Sequence, residues 1–246
     1  MAEKNLDFDT VIDRTHTNSL KYDFAVQRGK PMDVLPLWVA DMDFQVSSYI
    51  QEALSGSVAH GIFGYSEAEG SYFEAVAGWM SRHYGWNVEE TWLVKTPGIV
   101  FALAQAVRAF TEPGDAVLLQ QPVYYPFSQV IRDNGRKIVD NTLVQGEDGR
   151  YRIDFADFEE KIRSCKVKLF FLCNPHNPVG RVWTREELLR LGDICEKYGV
   201  IVVSDEIHAD FVFEGSHQVL VGLKESYRKF VVTCTAPSKT FNIASL

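Results

Sequence analysis

Apolar residues recur in two rhythms through the middle of this chain. From Gly98 to Phe110 they fall at Ile99, Leu103, Ala106 and Phe110, the step of a helix with one buried face. Pro113-Gly114-Asp115 then marks a turn. Ala116-Val117-Leu118-Leu119 follows as a short unbroken apolar run, which predicts a buried strand. A helix is expected from about Tyr125 to Asn134, stopping at Gly135. Val167 to Cys173 reads as a second buried strand. Thr184-Arg185-Glu186-Glu187 has the form of a capping box, in which Thr184 and Glu187 each bond the other's backbone amide. The helix it opens shows Leu188, Leu191, Cys195 and Tyr198 on one face, with Gly199 as the stop. Val200 to Val203 and Phe230 to Cys234 are further apolar strand runs. Strands that are apolar throughout, rather than alternating, predict a mainly parallel sheet covered on both faces.

The first 50 or so positions break this pattern. They are irregular, with Pro31, Pro36 and the run Leu35-Pro36-Leu37-Trp38-Val39-Ala40-Asp41-Met42-Asp43-Phe44. They read as an arm and loop rather than as a sheet unit. No internal repeat or low-complexity segment interrupts the rest.

Composition changes this picture little. The 246 residues are 46% hydrophobic and 24% charged, as in an ordinary globular protein. The net charge of −8 and the lack of any Lys/Arg run argue against nucleic acid and anionic membranes as partners. The polar, acidic start Met1-Ala2-Glu3-Lys4-Asn5-Leu6-Asp7 does not read as a signal peptide. No apolar stretch reaches the ~20 residues of a spanning helix. Cys165, Cys173, Cys195 and Cys234 have no metal or redox spacing and read as reduced thiols of a cytoplasmic protein.

Candidate chemistry lies where strand runs end. Asp205 closes the run that starts at Val200, and Lys239 follows the run Phe230–Cys234 in Ala236-Pro237-Ser238-Lys239-Thr240-Phe241-Asn242. Pyridoxal phosphate gives a lysine and a carboxylate at two buried strand ends a reason to be there: its aldehyde takes a lysine as a Schiff base, and its ring nitrogen takes a carboxylate. Thr96-Pro97-Gly98-Ile99 precedes a helix whose free amides can bind phosphate. Taken alone, a Pro-Gly before a helix is more often a plain turn. Asn174-Pro175-His176-Asn177-Pro178-Val179-Gly180 is a tightly specified loop leaving a strand end, the edge at which open α/β sheets place ligands. His208 and Asp210 suggest a metal, but no second cluster of ligands supports one; no metal is expected.

These segments, together with Leu35–Phe44, His60-Gly61-Ile62-Phe63-Gly64-Tyr65 and Pro122-Val123-Tyr124-Tyr125-Pro126, carry a resemblance. The chain resembles fold-type I pyridoxal-phosphate enzymes, the aspartate-aminotransferase superfamily. Within it, it looks most like the cystathionine β-lyase branch of MalY/PatB-type carbon–sulfur lyases. The resemblance covers essentially the whole chain. It implies a three-layer α/β/α fold with a mainly parallel sheet. Residues 1–50 would form an N-terminal arm and part of a small domain, and 51–246 the cofactor-binding large domain. It also implies a longer relative, so that most of the C-terminal small domain is missing here.

Carried over by position, the resemblance implies that Lys239 holds the cofactor and moves the substrate proton. Asp205 would pair with the ring nitrogen and Asn177 with the phenolic oxygen. His208 stands where many relatives have a tyrosine bonding that same oxygen. Tyr124 would stack on the ring, and Gly98, Ile99 and Ser238 would hold the phosphate. Tyr65 would reach the phosphate of a neighbouring subunit in a homodimer. Two departures stand out: Ala236 replaces a serine found in many relatives, and Ser245 stands where the branch has glycine. The implied reaction is β-elimination on a sulfur-containing L-amino acid such as cystathionine, giving a thiol, pyruvate and ammonia. An aminotransferase, which shares the first step, is the alternative. A regulatory or truncated protein that keeps the fold without turnover is a third.

Overall fold

The computed structural model describes residues 7–246; the polar start, 1–6, lies outside the described residues. The chain groups into two compact units. One is Glu67–Ala236; the other joins the segment up to Ser66 with Pro237–Leu246.

The larger unit is the three-layer sandwich expected from the apolar runs. Its strands are β1 (Ala116–Leu119), β2 (Lys137–Asp140), β5 (Leu169–Cys173), β6 (Ile201–Asp205) and β7 (Val231–Cys234). They form one sheet in the order β2-β1-β5-β6-β7, and every pairing is parallel. A separate two-stranded ribbon pairs β3 (Val144–Gln145) with β4 (Tyr151–Arg152).

Strand side chains alternate between two cores, because successive residues point to opposite faces. On one face Val117, Leu119, Phe171, Cys173 and Val203 pack with Leu103 and Val107 of α3 (Ile99–Phe110) and Phe127 and Ile131 of α4 (Pro126–Asp133). On the other, Leu118, Phe170, Leu172 and Val202 meet Phe158 and Ile162 of α5 (Phe155–Ser164) and Leu188, Leu191 and Cys195 of α6 (Arg185–Tyr198). Burial on both faces is why the strands carry no polar alternation.

The capping box forms as the spacing predicts. Thr184 Oγ1 accepts from the Glu187 amide at 3.2 Å, and Glu187 Oε2 accepts from the Thr184 amide at 2.8 Å. Gly199 closes the helix at φ +67. Glu187 also takes both its oxygens to Arg181 Nη2, whose guanidinium lies 4.7 Å from the ring centre of fully buried Trp183. The start of α6 therefore pins the end of the Asn174–Gly180 loop.

Among the described residues, the smaller unit holds the segment 7–66, which includes α1 (Ser48–His60), and the short α7 (Pro237–Thr240). Its long connection is stapled by charge rather than by a core. Arg14 reaches Asp41 at 2.5 Å and Asp43 at 2.6 Å. The buried ammonium of Lys21 donates to the Asp41 carbonyl at 2.5 Å. A further helix, α2 (Gly70–Tyr84), belongs to the larger unit. Among the described residues no helix is long and apolar enough to cross a membrane.

Candidate active site

Parallel pairing brings three strand ends level: Cys173 pairs with Asp205, and Asp205 with Cys234. Asp205 is buried at this edge, 7% exposed. One of its carboxylate oxygens accepts from the Ile207 amide at 3.2 Å, turning the chain back over the strand end. Its charge is felt by the groups around it. Burial raises the Tyr124 phenol, and the charges of Tyr125 and Asp205 add to that rise. Burial likewise raises the Cys173 thiol, with Asp205 contributing. The Cys234 thiol is pushed up to about 12 by burial and then by Asp205 and Glu206. A carboxylate buried at the sheet edge beside two neutral thiols is one that an opposite charge nearby would favour in its ionised form.

The loops leaving β1 and β5 are tied to each other. The Tyr124 amide donates to the Asn177 carbonyl at 2.9 Å. The buried His176 ring donates through Nε2 to the Pro122 carbonyl at 3.0 Å. His176 closes its own turn, its amide donating to Arg181 O and its carbonyl accepting from Gly180 N. Burial lowers its pKa from 6.5 to about 4, so the ring is neutral and a donor at one nitrogen only. Asn177 in turn donates its amide to the Cys173 sulfur at 3.4 Å.

At the start of α3, Gly98 has φ +146 and ψ 163, a region essentially confined to glycine. The first amide used inside the helix is that of Ala102, which donates to Gly98 O at 3.0 Å. The amides before it lie at the positive end of the helix, the arrangement that binds phosphate. No Cβ built on Gly98 would meet anything within 4 Å, so the glycine serves the backbone angle. His208 follows β6, its ring edge-on to Phe211 with centres 6.2 Å apart.

The remaining predicted residues belong to the smaller unit. Lys239 and Ser238 lie on α7. The Lys239 ammonium donates to the Ala40 carbonyl at 3.2 Å. Tyr65 is fully exposed. Gly98, Ile99, Tyr124, Asn177, Asp205 and His208 thus share one compact unit, and Lys239, Ser238 and Tyr65 share the other.

Beside Asp205 lies a buried polar group that sequence reading did not find. Glu206 and His217 meet at 2.8 Å, with both side chains 1% exposed. Ser204 Oγ donates to Glu206 at 2.8 Å. Glu206 follows Asp205 directly in the chain. His217 stands alone in a loop, and no spacing in the chain marks it. Among the described residues no group of three or more His, Cys, Asp or Glu side chains gathers as a metal site.

The cystathionine β-lyase PatB of Bacillus subtilis (strain 168) is 48% identical over 242 residues, covering 98% of this chain and 62% of that protein. The fold matches cystalysin from Treponema denticola, a structure that contains pyridoxal 5'-phosphate, with TM-score 0.92 and 39% identity. It also matches the PLP-bound C-S lyase from Staphylococcus hominis, with TM-score 0.91 and 36% identity. Both matches cover 98% of this chain and 61% of the other. The chain therefore spans about three fifths of the length of these relatives. The model of the family "Aminotransferase class I and II" matches residues 33–246, and the chain belongs to that family.

Proposed function

We propose that this chain is the cofactor-binding part of a pyridoxal-phosphate-dependent carbon–sulfur lyase acting on L-amino acids with sulfur at Cβ, such as cystathionine. The observation that carries the reading is the buried Asp205 carboxylate at the sheet edge, in a chain 48% identical to a cystathionine β-lyase.

The residues present fit the cofactor's chemistry. Asp205 supplies an anion for a protonated ring nitrogen, and the open amides of α3 suit a phosphate. When bound, pyridoxal phosphate supplies an electron sink for the pair left behind when Cα loses its proton. Asp205 would keep the ring nitrogen protonated, and Asn177 and His208 would hydrogen-bond the phenolic oxygen. Tyr124 would stack on the ring. Gly98, Ile99 and Ser238 would hold the phosphate, joined by Tyr65 from a neighbouring subunit of a homodimer. The Lys239 amine would be the attachment point and would take the Cα proton as general base. The thiol then leaves from Cβ, and hydrolysis of the remainder gives pyruvate and ammonia. A cytoplasmic location goes with this reading.

The test is chemical. Borohydride reduction of the intact protein loaded with pyridoxal phosphate, followed by mass mapping, should place the label on Lys239. A label on another lysine would overturn the assignment.

A further inference from the structure

The segment 40–44 is held from two sides. From the arm, Arg14 bonds the carboxylates of Asp41 and Asp43 and donates to the Met42 carbonyl at 3.4 Å. Lys21 adds a bond to the Asp41 carbonyl. From the other side comes Asn242, three positions beyond Lys239. Its Nδ2 donates to Met42 O at 3.0 Å and to Phe44 O at 3.1 Å. Its Oδ1 accepts from the Met42 amide at 2.9 Å. One carboxamide thus imitates a strand partner for 42–44, using both its donor and its acceptor ends.

Asn242 is suited to this place by its backbone. It sits at φ +55, a left-handed conformation that asparagine adopts more readily than most residues. Its own amide donates to Lys239 O at 3.3 Å. The turn that carries Lys239 and the side chain that grips 42–44 are therefore one piece. Two residues before Met42, the Ala40 carbonyl accepts from the Lys239 ammonium.

We propose that Asn242 is a positioning residue for Lys239: its carboxamide clamps the 42–44 backbone to the lysine turn and so holds the Ala40 carbonyl opposite the Lys239 amine. The clamp sets where the amine points before anything binds to it. Its functional consequence rests on the reading of Lys239 as the cofactor's lysine. Side-chain to backbone bonds of this kind fix geometry more than they add stability, and reactive groups lose much of their advantage when that geometry loosens.

The experiment compares wild type with Asn242→Gly, which keeps the left-handed backbone and removes the clamp, and with Asn242→Asp, which keeps the acceptor oxygen. Two readouts need no cofactor. Hydrogen–deuterium exchange at the Met42 amide should speed up roughly tenfold in Asn242→Gly, as for loss of one protecting bond, and speed up less in Asn242→Asp, which keeps the acceptor for that amide but loses both donor bonds to the Met42 and Phe44 carbonyls. Pulse acetylation mapped by mass spectrometry should show Lys239 modified faster in Asn242→Gly, with the other lysines unchanged. Unchanged Met42 exchange and unchanged Lys239 labelling would overturn the clamp. So would a uniform rise over all lysines, which marks general loosening. A third readout is direct titration with pyridoxal phosphate, where Asn242→Gly should bind more weakly than wild type. Wild type that takes up no cofactor while the first two readouts respond would defeat the functional reading and leave the clamp standing. Cofactor bound equally well by both proteins, with Met42 and Lys239 unmoved, would do the reverse.

Discussion

Asp205 derives its proposed role from where it sits rather than from what it is. The same carboxylate on a surface would do nothing to its neighbours; here it helps hold off ionisation of Tyr124, Cys173 and Cys234. Asp205→Asn keeps the shape and removes the charge. Weakened cofactor binding and loss of most turnover are the expected outcome, measured by cofactor titration and by product release; near-wild-type turnover would contradict the role. His176 makes a different prediction at the same scale. Its imidazole takes a proton at 6.5 when unfolded and only at about 4 when folded. Between those values the unfolded chain binds the extra proton, so stability falls as pH drops from 6.5 toward 4. The loss approaches about 3 kcal/mol at most. Urea unfolding across that range should show the fall. His176→Gln, whose amide can still reach the Pro122 carbonyl, should flatten it.

Among the elements, α3 carries the clearest prediction. Gly98→Ala would meet no atom, yet would force a side chain into a glycine-only backbone region at a cost of about 1–3 kcal/mol. A lower urea midpoint together with weaker pyridoxal-phosphate binding is expected; an unchanged affinity would separate the helix start from the phosphate. That helix was legible because Ile99, Leu103, Ala106 and Phe110 repeat at its pitch, and its observed span is Ile99–Phe110. Strand β1 and the capping box were legible for equally local reasons. Helices α1 and α2 are not legible in the sequence, and the structure shows why. No residue of α1 is buried, and Met80 alone is buried in α2, so neither helix writes a strong apolar stripe into the sequence. Strand β2 was missed because it lies at the sheet edge with no fully buried residue. The strand-end residues Asp205 and Asn177 could be found because strand and loop signals sit beside them. His217 and the clamp of Asn242 depend on contacts that no local spacing encodes.

The smaller unit exposes large apolar side chains. Val11, Met32, Leu35, Leu37, Ile62 and Phe63 are each more than 70% exposed. Apolar surface of this kind favours association, so the 246-residue chain is expected to self-associate as its concentration rises. Light scattering over a dilution series checks this, and a monomer that persists at high concentration would contradict it. The proposed lyase chemistry has a direct test. The intact protein is loaded with pyridoxal phosphate and given L-cystathionine with no keto acid present. Pyruvate and a free thiol should then appear in equal amounts. Turnover that depends strictly on an added keto acid, with no pyruvate released from cystathionine, would contradict the lyase and favour an aminotransferase.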